Sequence, residues 1–236
     1  MLDELSTLLN TFPPEASRLD YLTAIIEHNV LGKQTAATRK LTAQRLSELY
    51  IFEPSAPLFR ALRRFWQDDA AGRPLLALLC SLARDPLLRA TAAPVLAMTV
   101  GEELSRQRMT DAIRSVVGDR LNDATLDKVV RNASSSWTQS GHLAGRVRKF
   151  RQTIRPTPLT TAYALMLGYL EGLRGGRLFE TNWTKALDAT PVELRHVAAE
   201  AKRLAGLDLK SAGDVIDVGF TTVLNAQEIK DSRGTH

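Results

Sequence analysis

The chain has 236 residues, of which 44% are hydrophobic and 24% charged, with a formal net charge of +5 and a single cysteine, Cys80. One cysteine excludes an internal disulfide, and the longest charge-free apolar segments, residues 90–101 and 156–170, are shorter than the roughly 18–20 residues of a membrane span. The first four residues, Met-Leu-Asp-Glu, lack the basic region of a secretory signal, so we expect a soluble protein of the reducing cytoplasm that does not engage a membrane.

The first half of the chain is predicted to be a series of helices. After a weakly apolar leader, Ser17 with Asp20 three residues later is the signature of a capped helix start. The helix over residues 73–84 is apolar nearly all round, as is typical of a central buried helix, and Pro94 predicts a kink in a later helix. The predicted helices cover residues 18–30, 35–50, 57–66, 73–84, 86–98, 102–117 and 125–133.

A weaker basic surface is predicted on the second of these helices. Lys33, Arg39, Lys40 and Arg45 follow one another with no acid between residues 27 and 48. We therefore name Arg39 and Lys40 as candidate nucleic-acid contacts; the alternative interpretation is an ordinary solvated helix face.

The segment from residue 128 to residue 170 carries the basic character of the chain. Its 43 residues hold seven Lys and Arg but no Asp or Glu, so the remainder of the chain is slightly acidic. Ordinary surface helices mix charges of both signs, because oppositely charged neighbours one turn apart stabilise a helix. The segment therefore predicts contact with a polyanion.

Within this segment we predict a turn over residues 132–136, then Trp137, then a basic helix over residues 140–155 that Pro156 ends. Leu143, Val147, Phe150 and Ile154 fall on one narrow stripe at helical spacing, with cations on both sides of it. The alternative is a solvated or partner-facing helix. The candidate nucleic-acid contacts in this segment are His142, Arg146, Arg148, Lys149, Arg151 and Arg155.

The C-terminal third predicts an apolar helix over residues 157–173, a short helix over 178–187 and a longer helix over 191–205. The last begins at Thr190, with Pro191 and Glu193 in the first turn. Strands over 207–210 and 214–220 follow, with Val215, Val218 and Phe220 expected to pack on that helix. This is the order of a winged helix, whose recognition helix would present Arg195 and Lys202. The alternative is a plain helix covered by a β-ribbon.

The expected fold is an all-α, multi-helix globular bundle with a small C-terminal β-hairpin. We expect a helical domain over residues 1–133, a second helical region over 134–225 and a flexible tail over 226–236. The sequence has no glycine-rich phosphate loop, no nucleophile elbow and no paired cysteines or histidines at metal-ligand spacing. We therefore predict neither enzymatic activity nor a cofactor or metal.

Four features of the sequence suggest a family. They are residues 35–46, the leucine-rich residues 75–89, Trp137 ahead of the basic segment, and residues 207–217. In layout they resemble the BrxA family of BREX bacteriophage-defence operons. The resemblance implies an all-helical, NusB-like, non-catalytic DNA-binding component that acts with larger defence proteins. This chain carries extra residues between the leucine-rich part and Trp137, so no functional residue is transferred from the family.

The sequence thus predicts a nucleic-acid-binding accessory protein, with DNA favoured over RNA and other defence-system proteins as partners. The alternative is an interaction scaffold whose basic helix docks an acidic protein.

Overall fold

The computed structural model describes residues 1–212 and 215–233, and most of them are helical. Among these residues the α-helices are α1 (Leu2–Thr11), α2 (Arg18–Ile26), α3 (Ala36–Tyr50), α4 (Pro57–Asp68), α5 (Arg73–Arg84), α6 (Pro86–Ala90), α7 (Ala92–Leu96), α8 (Arg106–Val117), α9 (Asp123–Gln139), α10 (Pro158–Leu170), α11 (Asn182–Lys185), α12 (Pro191–Leu204) and α13 (Ala226–Asp231). The strands are β1 (Leu143–Ala144), β2 (Phe150–Arg151), β3 (Asp208–Ala212) and β4 (Val215–Gly219). Two 3₁₀ helices cover Gly118–Arg120 and Gly175–Glu180. The predicted all-α bundle with a small C-terminal hairpin is confirmed.

Helix starts follow the capping signals of the sequence. The side chains of Ser17, Thr157 and Thr190 each accept a hydrogen bond from the backbone N–H three residues later, and the backbone N–H of each donates to the side chain of that residue. Pro158 and Pro191 occupy first-turn positions, where a missing N–H leaves no hydrogen bond unmade. The starts of α2, α10 and α12 are therefore confirmed.

The core is built around α5 and α10. Every residue from Leu75 to Leu82 of α5 is buried, and so is every residue from Leu159 to Tyr169 of α10. These two helices contact each other, while α3, α4 and α9 pack on α5 and α11 and α12 pack on α10. The expected central buried helix is thus confirmed, and a second one accompanies it.

Three local expectations in the middle of the chain are revised. The predicted helix over 86–98 is divided at Thr91 into α6 and α7, because Pro94 cannot donate to the carbonyl of residue 90. Residues 102–105, expected in the next helix, precede α8, and Glu103 forms a β-bridge with Phe150. The turn expected over 132–136 is part of α9, where Ser134 donates its hydroxyl to the carbonyl of Val130 (2.8 Å) and so remains satisfied inside a helix.

The C-terminal hairpin forms as predicted, with β3 antiparallel to β4 and Leu209 opposite Val218. Val218 and Phe220 are buried as expected, but Val215 is 70% exposed, so its expected packing on the helix is wrong. Gly213 and Asp214, which were expected to end the turn and start the second strand, lie outside the described residues.

Residues expected to form a flexible tail instead include α13. Glu228 forms an ion pair with Arg60 of α4 (2.5 Å), and Arg174 donates to the Ser232 hydroxyl (2.8 Å). These contacts join residues that are far apart in the sequence, so the polar composition of the last residues alone could not predict them. The boundary expected between residues 133 and 134 falls inside the continuous helix α9. No helix among the described residues is long and apolar enough to cross a membrane.

Candidate nucleic-acid interface

The predicted basic helix over residues 140–155 is wrong, because this segment forms a β-hairpin. Leu143 pairs with Arg151 and Ala144 pairs with Phe150, and a five-residue turn, residues 145–149, joins the strands. We call residues 143–151 the basic hairpin. Residues 102–104 lie along its second strand, since Leu104 N–H donates to Lys149 O (2.7 Å) and Arg151 N–H donates to Glu102 O (2.9 Å).

Burial in the hairpin contradicts the predicted apolar stripe. Leu143 is 2% exposed, whereas Val147 is 92% exposed, although a helix would have placed both on one buried face. Gly141 and Gly145 have φ values of +89° and +118°. These values suit glycine and cannot occur within a right-handed helix. The pair of glycines was the sequence signal against a helix here.

Arg151 is buried under the hairpin and is not available to a nucleic acid. Its guanidinium forms an ion pair with Asp188, and the two side chains are only 5% and 11% exposed. It also donates to the carbonyls of His142 and Gln152. The Asp188 carboxylate takes a further hydrogen bond from Ile154 N–H (3.2 Å). Arg151 therefore joins the hairpin to the turn between α11 and α12.

His142 is also buried, with no exposed surface. Its Nε2 lies 2.9 Å from the carbonyl of Ala186, and since a carbonyl can only accept, Nε2 carries the proton. Nδ1 then accepts from the Ser140 hydroxyl at 2.8 Å. Burial lowers the pKa of His142 to about 4, a shift that the nearby Asp188 carboxylate opposes. A neutral, fully bonded imidazole is a structural element and not a phosphate contact.

The other candidates of this segment lie at or near the surface. Arg148 is exposed and donates from Nε to Glu103 Oε1 (2.9 Å), and this bond lowers the pKa of the Glu103 carboxyl. Lys149 is half-buried and donates to the Thr138 hydroxyl (2.8 Å). Arg146 and Arg155 are exposed and make no hydrogen bond or ion pair with any described residue.

Of the two candidate contacts on the helix over residues 35–50, one is exposed and one is half-buried. Lys40 is exposed and lines a cleft of about 460 Å³ between α2 and α3, while Arg39 is half-buried. Arg18 of α2 and Arg84 at the end of α5 line the same cleft. Sequence reasoning missed these two arginines, because only the packing of α2, α3 and α5 brings them to Lys40.

A further basic surface lies on α12. This helix buries Leu194, Ala198 and Ala201 against the bundle. At 100° per residue, its exposed Val192, Arg195, His196, Ala199, Lys202 and Arg203 fall within a sector of about 120° that contains no acid. The acids Glu193 and Glu200 lie outside that sector, and Glu193 is bound by the Thr190 cap, which lowers the pKa of its carboxyl.

The elements around α12 hold this surface in place. Along the chain α11, a five-residue turn, α12 and the hairpin β3–β4 follow one another, and β3 packs on α12. The Arg195 guanidinium lies 5.8 Å from the Phe179 ring. Ile154 N–H donates to Asp188 in the turn before α12, so the backbone of the next residue, the exposed Arg155, lies near the start of α12.

Comparison with known proteins gives no match to any protein-family model, curated protein or solved structure. Within residues 1–212 and 215–233, no three His, Cys, Asp or Glu side chains are grouped as metal ligands. The resemblance to the BrxA family stays a prediction.

Proposed function

We propose that this protein binds double-stranded DNA, with α12 as the helix that enters the major groove. The observation that carries the proposal is the acid-free basic sector of α12, displayed between a preceding short helix and a following antiparallel hairpin. That order of elements is the one by which winged helices present a recognition helix.

The side chains of the sector suit a groove of B-form DNA. Arg195, Lys202 and Arg203 supply cations for phosphates and guanine edges, while Val192 and Ala199 between them are small enough for close approach to the bases. The major groove of B-DNA admits an α-helix, whereas the deep and narrow major groove of A-form RNA excludes side chains. Duplex DNA is therefore favoured over duplex RNA as the ligand.

The proposal extends to a non-catalytic role in bacteriophage defence, alongside larger defence proteins. Its support is the resemblance of residues 35–46, 75–89 and 207–217 and of Trp137 to the BrxA family. The gene's neighbours test this part, because a location outside any defence operon would argue against it.

The test of DNA binding is a triple variant with Arg195, Lys202 and Arg203 replaced by Gln. Each lost phosphate contact flattens the dependence of log K on log salt by about 0.9, so we expect the slope to flatten by roughly 2 to 3. The matched control replaces Arg106, Arg108 and Arg114 of α8, which are exposed and paired with carboxylates, and makes the same change in net charge. The control should bind like the parent.

A triple variant that binds duplex DNA with the parent's affinity and salt slope would overturn the proposal. The basic surfaces would then be assigned to docking an acidic protein partner.

A further inference from the structure

The tip of the basic hairpin exposes an apolar side chain between cations. Val147 is 92% exposed, the highest value among the large exposed hydrophobic side chains of the described residues. Arg146 and Arg148 flank it directly in sequence. Single exposed apolar residues are common and usually need no explanation, so the question is whether this one is held in a defined position.

The turn that carries Val147 is held rigidly. Gly145 has φ +118°, and a Cβ atom at this position would lie 2.0 Å from the carbonyl oxygen of Arg148, so the turn closes too tightly for any other residue. Lys149 donates from Nζ to the Thr138 hydroxyl of α9 (2.8 Å), and its carbonyl accepts from Leu104 N–H (2.7 Å). Lys149, the last residue of the turn, is thus held both by α9 and by residues 102–104.

The base of the hairpin is joined to the turn that precedes α12. His142 Nε2 donates to Ala186 O (2.9 Å), and Arg151 forms its buried ion pair with Asp188. The turn at residues 145–149 is the opposite end of the hairpin from these contacts. Three contacts, counting Ile154 N–H to Asp188, therefore join the hairpin and its flanking residues to the turn before α12.

The charge around the tip favours an anionic partner. Arg146 has no partner among the described residues, and Arg148 and Lys149 complete a run of cations around Val147. Glu103 holds Arg148 in an exposed ion pair. An exposed pair of this kind is readily exchanged for a phosphate, because it is screened by solvent.

We propose that this tip is a second DNA contact, at which Val147 inserts between base pairs from the minor groove and bends the duplex. This inference rests on the proposed function of α12. Proteins that bend DNA use apolar wedges of this kind, and arginine is favoured in a narrow minor groove. Arg146 and Arg148 then lie along the groove on either side of the wedge.

The test compares Val147→Ala with Val100→Ala, since Val100 is 67% exposed at a different place and serves as the matched control. Bending is measured by energy transfer between dyes at the two ends of a duplex of about 30 base pairs. We expect Val147→Ala to abolish the bend and to weaken binding roughly tenfold, the value of removing two buried carbon groups. Val100→Ala should change neither, and both variants should melt like the parent.

A third variant tests the role of Glu103. Glu103→Gln removes the carboxylate that competes with a phosphate for Arg148, so binding should tighten while the number of phosphate contacts, and with it the salt slope, stays the same. Binding that is unchanged or weaker in this variant would argue against Arg148 as a DNA contact.

The outcomes separate the two proposals. If the α12 triple variant loses DNA while Val147→Ala binds and bends it like the parent, the wedge is refuted and the function of α12 stands. If the parent does not bind DNA, both proposals fail. In that case, binding of phosphatidylserine vesicles by the parent and its loss in Val147→Ala would assign the tip to an anionic membrane surface.

Discussion

The buried ion pair between Arg151 and Asp188 should be the most sensitive polar contact in the C-terminal half of the chain. The Asp188 carboxylate accepts at both oxygens, Oδ1 from the Arg151 guanidinium and Oδ2 from Ile154 N–H. An amide has only one oxygen, so Asp188→Asn leaves one of these donors facing an NH₂ group. It also leaves a guanidinium that is 5% exposed without a counter-charge.

Removing one partner of a buried ion pair typically costs 3–5 kcal/mol, and we expect Asp188→Asn to lower the free energy of unfolding by about 3 kcal/mol. Asp188 has φ +51°, a conformation that asparagine tolerates and alanine does not. Asp188→Ala should therefore cost about 1–2 kcal/mol more. Replacing Arg151 by Met in the Asp188→Asn background should recover at least about 1 kcal/mol, because the uncompensated charge is gone.

The measurement is urea unfolding followed by tryptophan fluorescence, since the Trp137 ring stands edge-on to His142 at 4.9 Å, close to the pair. Glu103→Gln is the control, because it removes an ion pair of the same hairpin that is exposed to solvent and should change stability little. Equal midpoints for Asp188→Asn and Glu103→Gln would refute the view that burial gives the first pair its importance.

Three further predictions concern single residues. Burial lowers the pKa of His142 to about 4, whereas the pKa of a histidine in the unfolded chain is about 6.5, so the unfolded chain binds the extra proton first as the pH falls. The free energy of unfolding should therefore fall by about 3 kcal/mol between pH 6.5 and pH 4. Urea unfolding measured over this pH range should show the decrease in the parent and lose it in His142→Gln. Cys80 is fully buried and its thiol pKa is raised to about 11, so it should react with iodoacetamide only after unfolding, and rapid labelling of the native protein would contradict its position in the core. Gly145→Ala should lower the melting temperature more than Gly32→Ala. Both glycines have a positive φ, but of the two only Gly145 has backbone atoms within 4 Å of the position that an added Cβ would take. Equal melting temperatures would show that the turn at residues 145–149 can rearrange without cost.

The sequence by itself determined where most helices begin and which of them is central. Ser17, Thr157 and Thr190 each stand three residues before a side chain that completes the cap, and this signal is contained within four residues. The burial of α5 could be predicted for a related reason, because a helix that is apolar on every side has no face to present to water. These features depend on neighbours in sequence, so no knowledge of the fold was needed.

The candidate interface could be predicted only in part. The exposed basic side chains of α12 follow from its hydrophobic spacing, so Arg195 and Lys202 were named from sequence and lie where expected. The cleft that joins Lys40 to Arg18 and Arg84 could not be predicted, because its walls come from three separate helices.

The basic segment is where tertiary structure overruled local pattern. Leu143, Val147, Phe150 and Ile154 satisfy a helical period, yet the segment is a hairpin whose Arg151 is buried against Asp188, 37 residues away. A helix over residues 140–155 would have kept two glycines in its interior at about 1 kcal/mol each, and would have separated Arg151 from its carboxylate. The spacing of apolar residues shows only which conformation would place them on one face. The conformation that the segment adopts also depends on the contacts that the rest of the chain provides. Here the buried carboxylate of Asp188 and the neighbouring residues 102–104 favour the hairpin.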